Sequence, residues 1–371
     1  MPLVAGIDCS TQSTKALVVD VGSGDVVSLG RAPHVVTGAG GARESDPEGW
    51  WTALRDALGA TGRSGELAAI SIAGQQHGMV VLDDDGTPLR AAKLWNDTES
   101  APDAAVLIDA LGGPDWWAER AGLVPVASFT ATKWAWLRRV EPEVAAATAA
   151  IRLPHDFLTE RLCGRGASDR GDTSGTGWWS TATEDYLDEI LDHPLLRLNR
   201  YLLPAVLGPN ESAGRVTSDA AEFTGLPAGI LVGPGTGDNA GAAVGLGLET
   251  GVPVISLGTS GTAFMVSESR IVDPSGMVAG FADATGRFLP LAATLNCTLA
   301  VDKVAAWLRL ERDEVADRTE VIVLPYFDGE RTPNLPNAAA SIVGLRHSTE
   351  PGEILLAAYQ GAVLGLLDAL D

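Results

Sequence analysis

A chain of 371 residues is longer than one ordinary hydrophobic core and suits two domains of typical size. Its 26 Lys+Arg against 48 Asp+Glu give a formal charge of -22, which argues against nucleic acid or an anionic membrane as a general partner, while 46% hydrophobic and 20% charged residues argue against disorder. Only four of the basic residues are Lys, so an anionic substrate must be met by backbone donors, hydroxyls or a metal rather than by a basic surface.

Residues 3–8 (LVAGID) and 15–20 (KALVVD) read as two short strands around a polar turn, which is a hairpin. The turn puts Ser10, Thr11, Gln12, Ser13 and Thr14 beside Asp8. Asp46-Pro47-Glu48 opens a helix, with Asp46 as N-cap and Pro47 in the first position, running through Trp50, Trp51, Leu54 and Leu58. LAAISIAG is a buried strand; the loop Gln75-Gln76-His77-Gly78 and a second strand, MVVLD, follow, and Trp95-Asn96-Asp97 closes the next strand. Strands alternate with helices, so the class is α/β.

From 116 to 162 the pattern predicts helix, with Trp116, Trp117, Trp134, Trp136 and Leu137 used for packing rather than for stacking on a sugar. Residues 164–183 (GRGASDRGDTSGTGWWSTAT) are predicted as loop and 184–203 as a second helical block. In 229–247, GILVGPGTGDNAGAAVGLG, a strand enters a Gly-rich turn and leaves as a small-residue helix, the expected hinge. VPVISLGTSGTAFMV then repeats the opening pattern around Gly258, Thr259, Ser260 and Gly261, which suggests two domains of related design. The terminal helix presents one apolar face, Ile354, Leu355, Ala358, Ala362, Leu366 and Leu370, which needs a partner; a homodimer is one candidate.

Tight turns bind phosphate through backbone N–H groups and hydroxyls, and two such turns across a cleft would hold a polyphosphate from both sides. Its charge would then need Mg²⁺, and a carboxylate such as Asp8 is useful beside phosphate when it holds that ion, directly or through water. Taken singly, each hairpin is equally an ordinary solvated turn. Asp238 is placed either to cap its helix or to take the proton from an attacking hydroxyl during phosphoryl transfer, and the two roles are compatible. The amide and imidazole of Gln75, Gln76 and His77 donate and accept, as sugar hydroxyls do, and Trp95 offers a flat face. The other histidines are scattered, which disfavours a histidine–metal enzyme. Cys9, Cys163 and Cys297 are unclustered, so no disulfide framework or zinc site is expected. No run reaches about 18 apolar residues, and a cytoplasmic protein is expected.

These pieces, in this order, resemble the FGGY carbohydrate kinases, and within them the xylulokinase branch. The resemblance rests on GIDCSTQSTK at the start, ESDPEGWW at 44, SIAGQQHG at 71, LWND at 94, LPHDFL at 153 and SDRGDTSGTGWW at 168. GTGDNAGAAVGLG at 235, SLGTSGT at 256 and PYFDGERTPNLPNAAASIVGL at 325 complete it. It implies two actin-like, ribonuclease H-like ATPase domains around a cleft where Mg²⁺-ATP meets a sugar. Residues 1–245 would carry the sugar site and first phosphate loop; 246–371 would form a second, incomplete domain with the second loop. The resemblance makes Ser10, Thr11, Gln12 and Ser13, with Gly258, Thr259, Ser260 and Gly261, the ATP-phosphate loops, and Asp8 the metal-side residue. Asp238 becomes the base, Gln76, His77, Trp95 and Asn239 become sugar contacts, and the implied reaction is phosphorylation of D-xylulose at its 5-hydroxyl.

Two departures qualify the resemblance. Thr98-Glu99 stands where relatives often carry Arg, and the adenosine-binding segment of relatives is expected beyond the point where this chain stops. The alternatives are a kinase for ribulose, glycerol or gluconate, a sugar-binding module that does not transfer phosphate, and an actin-like polymerising scaffold.

Overall fold

The computed structural model describes residues 2–368. Leu3–Cys9 and Ser13–Asp20 pair antiparallel, in a register that sets Asp8 opposite Lys15 and Cys9 opposite Thr14. Leu3, Ala5, Ile7 and Cys9 are buried and their neighbours are not, the period of two that one packed face imposes. Val26–Pro33 extends this sheet antiparallel on one side, and Leu67–Gly74 lies parallel to the first strand on the other. The helix Pro47–Thr61 covers the sheet: Asp46 accepts a hydrogen bond from the Glu48 amide, and Trp50, Leu54, Ala57 and Leu58 are fully buried.

Leu231–Val232 and Thr236–Gly237 both pair parallel with Leu67–Gly74. The registers align Cys9 with Gly74 and Gly237 with Gly74. Three chain segments therefore leave the carboxyl end of one sheet together, where open α/β sheets place ligands.

A second sheet of four antiparallel strands follows, in the order Pro253–Leu257, Gly261–Met265, Phe288–Thr294, Ala279–Ala282. The helices Thr298–Leu308 and Pro351–Leu367 pack together over the strand Ile322–Leu324 around Val301, Val304, Leu355 and Ala358. Among the described residues no helix is long and apolar enough to cross a membrane.

Three expectations need correction. The 164–183 stretch is not surface loop: it forms Ala167–Asp169, the helical turn Arg170–Thr173 and Trp179–Ser180, and Ser168, Asp172 and Ser174 are fully buried. Its Gly, Ser and Thr content reflects close packing beneath the site, not solvation. The 184–203 block is a two-residue strand, the short helix Asp188–Leu191 and the 3₁₀ turn Arg200–Leu202. On the terminal helix, Leu355, Ala358, Ala362 and Leu366 are already buried within the chain, so that face gives no ground for a dimer; Leu370 lies outside the described residues. The tryptophans pack as expected. Trp117, Trp134 and Trp136 are buried, with the indole N–H of Trp117 donating to Leu107 O and that of Trp134 to Leu196 O.

Candidate active site

A pocket of about 210 Å³ opens at the carboxyl end of the first sheet, lined by Gln76, His77, Asp238 and Asn239 on one side and Ser256, Thr262 and Arg331 on the other. Thr11, Trp95 and Ser260 line both this pocket and an adjoining groove of about 950 Å³. Trp95 is half-buried, not a core residue, and its indole N–H donates to Thr11 Oγ1 at 3.2 Å.

Asp238 is the first residue inside the helix Asp238–Gly245; the cap position belongs to Gly237, so the capping role does not hold. Its Oδ1 accepts from Asn239 N at 2.8 Å and Asn239 Nδ2 at 2.9 Å, leaving Oδ2 without a hydrogen-bond donor among the described residues. Burial, reinforced by the charge of Asp8, pushes this carboxyl up to about 7, where a carboxylate is poised to accept a proton at neutral pH. Asn239 Nδ2 also donates to Gln76 Oε1 at 2.7 Å, and Thr262 Oγ1 donates to Asn239 Oδ1 at 3.3 Å. The Gln76 amide lies against Gly237, where an added Cβ would sit 2.7 Å from its Cγ and Nε2.

His77 is held in the left-handed region at φ 62°, a conformation that surrounding contacts must enforce. Its backbone N–H donates to Asp172 Oδ1 at 3.1 Å, and the same oxygen lies 3.1 Å from Nδ1, a close approach without hydrogen-bond alignment. Thr130 Oγ1 donates to His77 O, and the rings of Phe129 and Phe281 lie 5.3 and 5.0 Å from the imidazole. Burial, with Arg331 and Lys133 nearby, holds the imidazole well below its usual range and therefore neutral.

Behind Asp172, the Nε2 atom of His155 lies 3.3 Å from Asp156, 3.2 Å from Asp169 and 3.5 Å from Asp172. Burial opposes a charge on His155, but the three aspartates outweigh it and raise its pKa to about 9. Asp169 in turn accepts from the Gly171 and Asp172 amides and from Thr236 Oγ1, two residues before Asp238. One buried ionic cluster thus supports both His77 and the segment carrying Asp238.

The two hydroxyl-rich turns face the same groove, which is lined by Ser10, Thr11, Gln12 and Ser13 from one and Thr259 and Ser260 from the other. Among the described residues, the backbone amides of Thr11, Gln12, Thr259 and Ser260 donate no hydrogen bond within the chain, which is the donor array an anion needs. Ser13 and Thr14 belong to the second strand, and Thr14 is sealed in the core. Gly258 lines the smaller pocket, whereas Gly261 lines neither cavity: its open side admits Leu366, which an added Cβ would meet at 2.6 Å. Asp8 Oδ2 accepts from Ser10 Oγ at 2.6 Å and Lys15 Nζ at 2.8 Å. Thr98 lines the groove, and Glu99 pairs with Lys93 at 2.5 Å.

The model for the N-terminal domain of the FGGY family of carbohydrate kinases matches residues 3–245, and that for the C-terminal domain matches residues 254–371. The chain belongs to the FGGY family of carbohydrate kinases. A xylulose kinase of Streptomyces coelicolor is 60% identical over 373 residues, a match spanning 100% of this chain and 76% of that protein. The crystal structure of a xylulose kinase from Bifidobacterium adolescentis superposes with a TM-score of 0.83 at 38% identity, covering 100% of this chain and 81% of that one. A gluconate kinase from Lactobacillus acidophilus shares the fold, with a TM-score of 0.90 at 21% identity over 100% of this chain and 77% of that one. The α/β architecture with two FGGY domains is therefore as expected.

Reading the FGGY motifs by residue left several site residues unassigned. Arg331 lines the pocket from the GERTP segment, Thr262 follows the second turn, and His155 and Asp172 come from LPHDFL and SDRGDTSG. All four lie in stretches that carried the resemblance, but their roles depend on contacts with residues far away in sequence.

Proposed function

We propose that this chain is an ATP-dependent sugar kinase that phosphorylates D-xylulose at its 5-hydroxyl, with Asp238 as the general base. The observation that carries this reading is Asp238 itself: a carboxyl raised to about 7, with one unengaged oxygen, in a polar pocket that adjoins a groove framed by two amide-rich turns. The 60% identity to a xylulose kinase supports D-xylulose over ribulose, glycerol or gluconate. On the same reading, residues 1–245 supply the sugar site and first phosphate loop, and 246–371 the second loop.

Gln76, His77 and Asn239 hold the sugar, each already fixed by a second contact, so little side-chain freedom is lost on binding. Ser10, Thr11, Gln12, Ser13, Thr259 and Ser260 present hydroxyls, amides and unengaged backbone N–H groups to the phosphates of ATP. Gly258 lets the second turn close, with its amide bonded to Ser260 O at 3.0 Å. As the sugar oxygen attacks, Asp238 Oδ2 takes its proton, which keeps the nucleophile from developing positive charge. Asp8 fits a divalent cation: Oδ2 is occupied by Ser10 and Lys15, while Oδ1 is unengaged among the described residues, and Mg²⁺ commonly takes one or two carboxylates with phosphate oxygens. When bound there, such an ion would neutralise phosphate charge that four lysines cannot. The test is coupled ADP release with D-xylulose, ribulose, glycerol and gluconate; kcat/KM should be highest for D-xylulose, and a higher value for any of the others would overturn the substrate assignment.

A further inference from the structure

Arg331 reaches the sugar pocket from the second half of the chain. Its guanidinium carbon lies 5.3 Å over the Phe129 ring, and Phe129 in turn meets His77 edge-on. Among the described residues no carboxylate or carbonyl is hydrogen-bonded to this guanidinium. The adjacent Glu330 is spent elsewhere: it accepts from the amides of Leu295, Asn296 and Arg331 and from Asn296 Nδ2. Lys133, the other cation on this side, is fully buried and committed to Ala127 O and Ser128 O. Arg331 is thus a planar fork of donors that lines the pocket, half-buried and without a protein acceptor among the described residues, free to meet the oxygens of a ligand.

The two ends of the pocket differ. Arg331 and His77 share Phe129 between them, whereas Asp238 is bonded to Asn239, whose other partner is Gln76. On the reading above the reacting hydroxyl belongs beside Asp238, and Arg331, grouped with Phe129 and His77, is placed to meet the rest of the sugar. In an open-chain 2-ketose the non-reacting end carries a hydroxyl on C1 and a carbonyl on C2, two vicinal oxygens that a guanidinium can meet with parallel N–H groups.

We propose that Arg331 is a substrate-binding residue that reads the non-reacting end of the ketose, donating to the oxygens on C1 and C2. This rests on the xylulose reading above and extends it: the second half of the chain would take part in choosing the sugar as well as in holding phosphate. Phe129 supports the guanidinium from the face of its ring.

The test is a cycle between protein and ligand, read as sugar binding by calorimetry on the full chain without ATP. The ligands are D-xylulose and 1-deoxy-D-xylulose; the variants are Arg331→Gln and Arg331→Lys. The unmodified chain should bind the 1-deoxy sugar about tenfold more weakly than D-xylulose, and Arg331→Gln should weaken D-xylulose binding by about ten- to a hundredfold. Arg331→Gln should discriminate between the two sugars less than threefold or so, because the lost hydroxyl no longer has a partner; Arg331→Lys should recover part of the affinity but not the discrimination. Equal binding of both sugars by the unmodified chain, a measurement that needs no variant, overturns the proposal. So does a loss in Arg331→Gln that is equal for both sugars, or one seen only as lower kcat with unchanged sugar affinity, which would place Arg331 on the phosphoryl group. Failure of the unmodified chain to bind D-xylulose would overturn the parent reading and this one with it, whereas normal binding by Arg331→Gln would overturn this one alone.

Discussion

Replacing Gly175 with alanine would put a methyl group onto the imidazole of His77. The added Cβ would fall within the ring's van der Waals envelope, with even Nε2 only 2.8 Å away. The ring would have to withdraw by roughly 1.5 Å to reach ordinary carbon–carbon contact. It has little room to do so, since Phe129 and Phe281 flank it and Asp172 holds its backbone. Overpacking of this kind costs about 1–3 kcal/mol, and loosening the Asp172 contact adds about 1–3 kcal/mol by leaving a buried carboxyl short of a donor. Gly175→Ala is therefore expected to lower unfolding free energy in urea by roughly 2–6 kcal/mol. It should also raise KM for the sugar about tenfold or more, with a smaller change in KM for ATP, because the displaced ring faces only the sugar pocket. Normal stability together with a normal sugar KM would refute the placement of His77 against Gly175 and the sugar.

Gly237→Ala should displace the Gln76 amide, break its bond to Asn239 and raise sugar KM several-fold while leaving the phosphate groove intact; an unchanged KM would count against that contact. The raised carboxyl of Asp238 sets the pH dependence. Only the ionised form accepts a proton, so kcat/KM should rise about tenfold per pH unit below its pKa and level off above it, and a flat profile from about pH 5.5 to 8.5 would contradict the assignment. Asp8→Asn should raise the Mg²⁺ concentration needed for half-maximal rate, and EDTA should abolish turnover reversibly; a rate indifferent to both would remove Asp8 from the metal side.

The opening hairpin, the Asp46-capped helix and the second hairpin were legible because each is local: alternation, a cap and a tight turn need only near neighbours. That the two turns share chemistry was legible too, in Ser10–Ser13 and Thr259–Ser260, and the structure sets both on one groove. What the sequence could not supply was depth. The Gly- and Ser-rich stretch from 164 to 183 looked like solvated loop, yet its small residues are there to let Asp169, Asp172 and Gly175 approach His155 and His77 closely. The setting of Arg331 was hidden for a related reason, because it depends on Phe129 and His77, roughly 200 and 250 residues earlier in the chain. Asp238 looked like a helix cap with a second task; the structure gives the cap to Gly237 and leaves Oδ2 without a donor among the described residues.

The most direct measurement is single-turnover phosphoryl transfer by Asp238→Asn beside the unmodified chain, with D-xylulose affinity measured on both proteins. Asparagine keeps the size and the Asn239 neighbour but cannot take a proton, so the transfer rate is expected to fall by about 10²–10⁴-fold while sugar affinity changes less than fivefold or so. A transfer rate within about tenfold of the unmodified chain, with the sugar still bound, would contradict the role of Asp238 as the base.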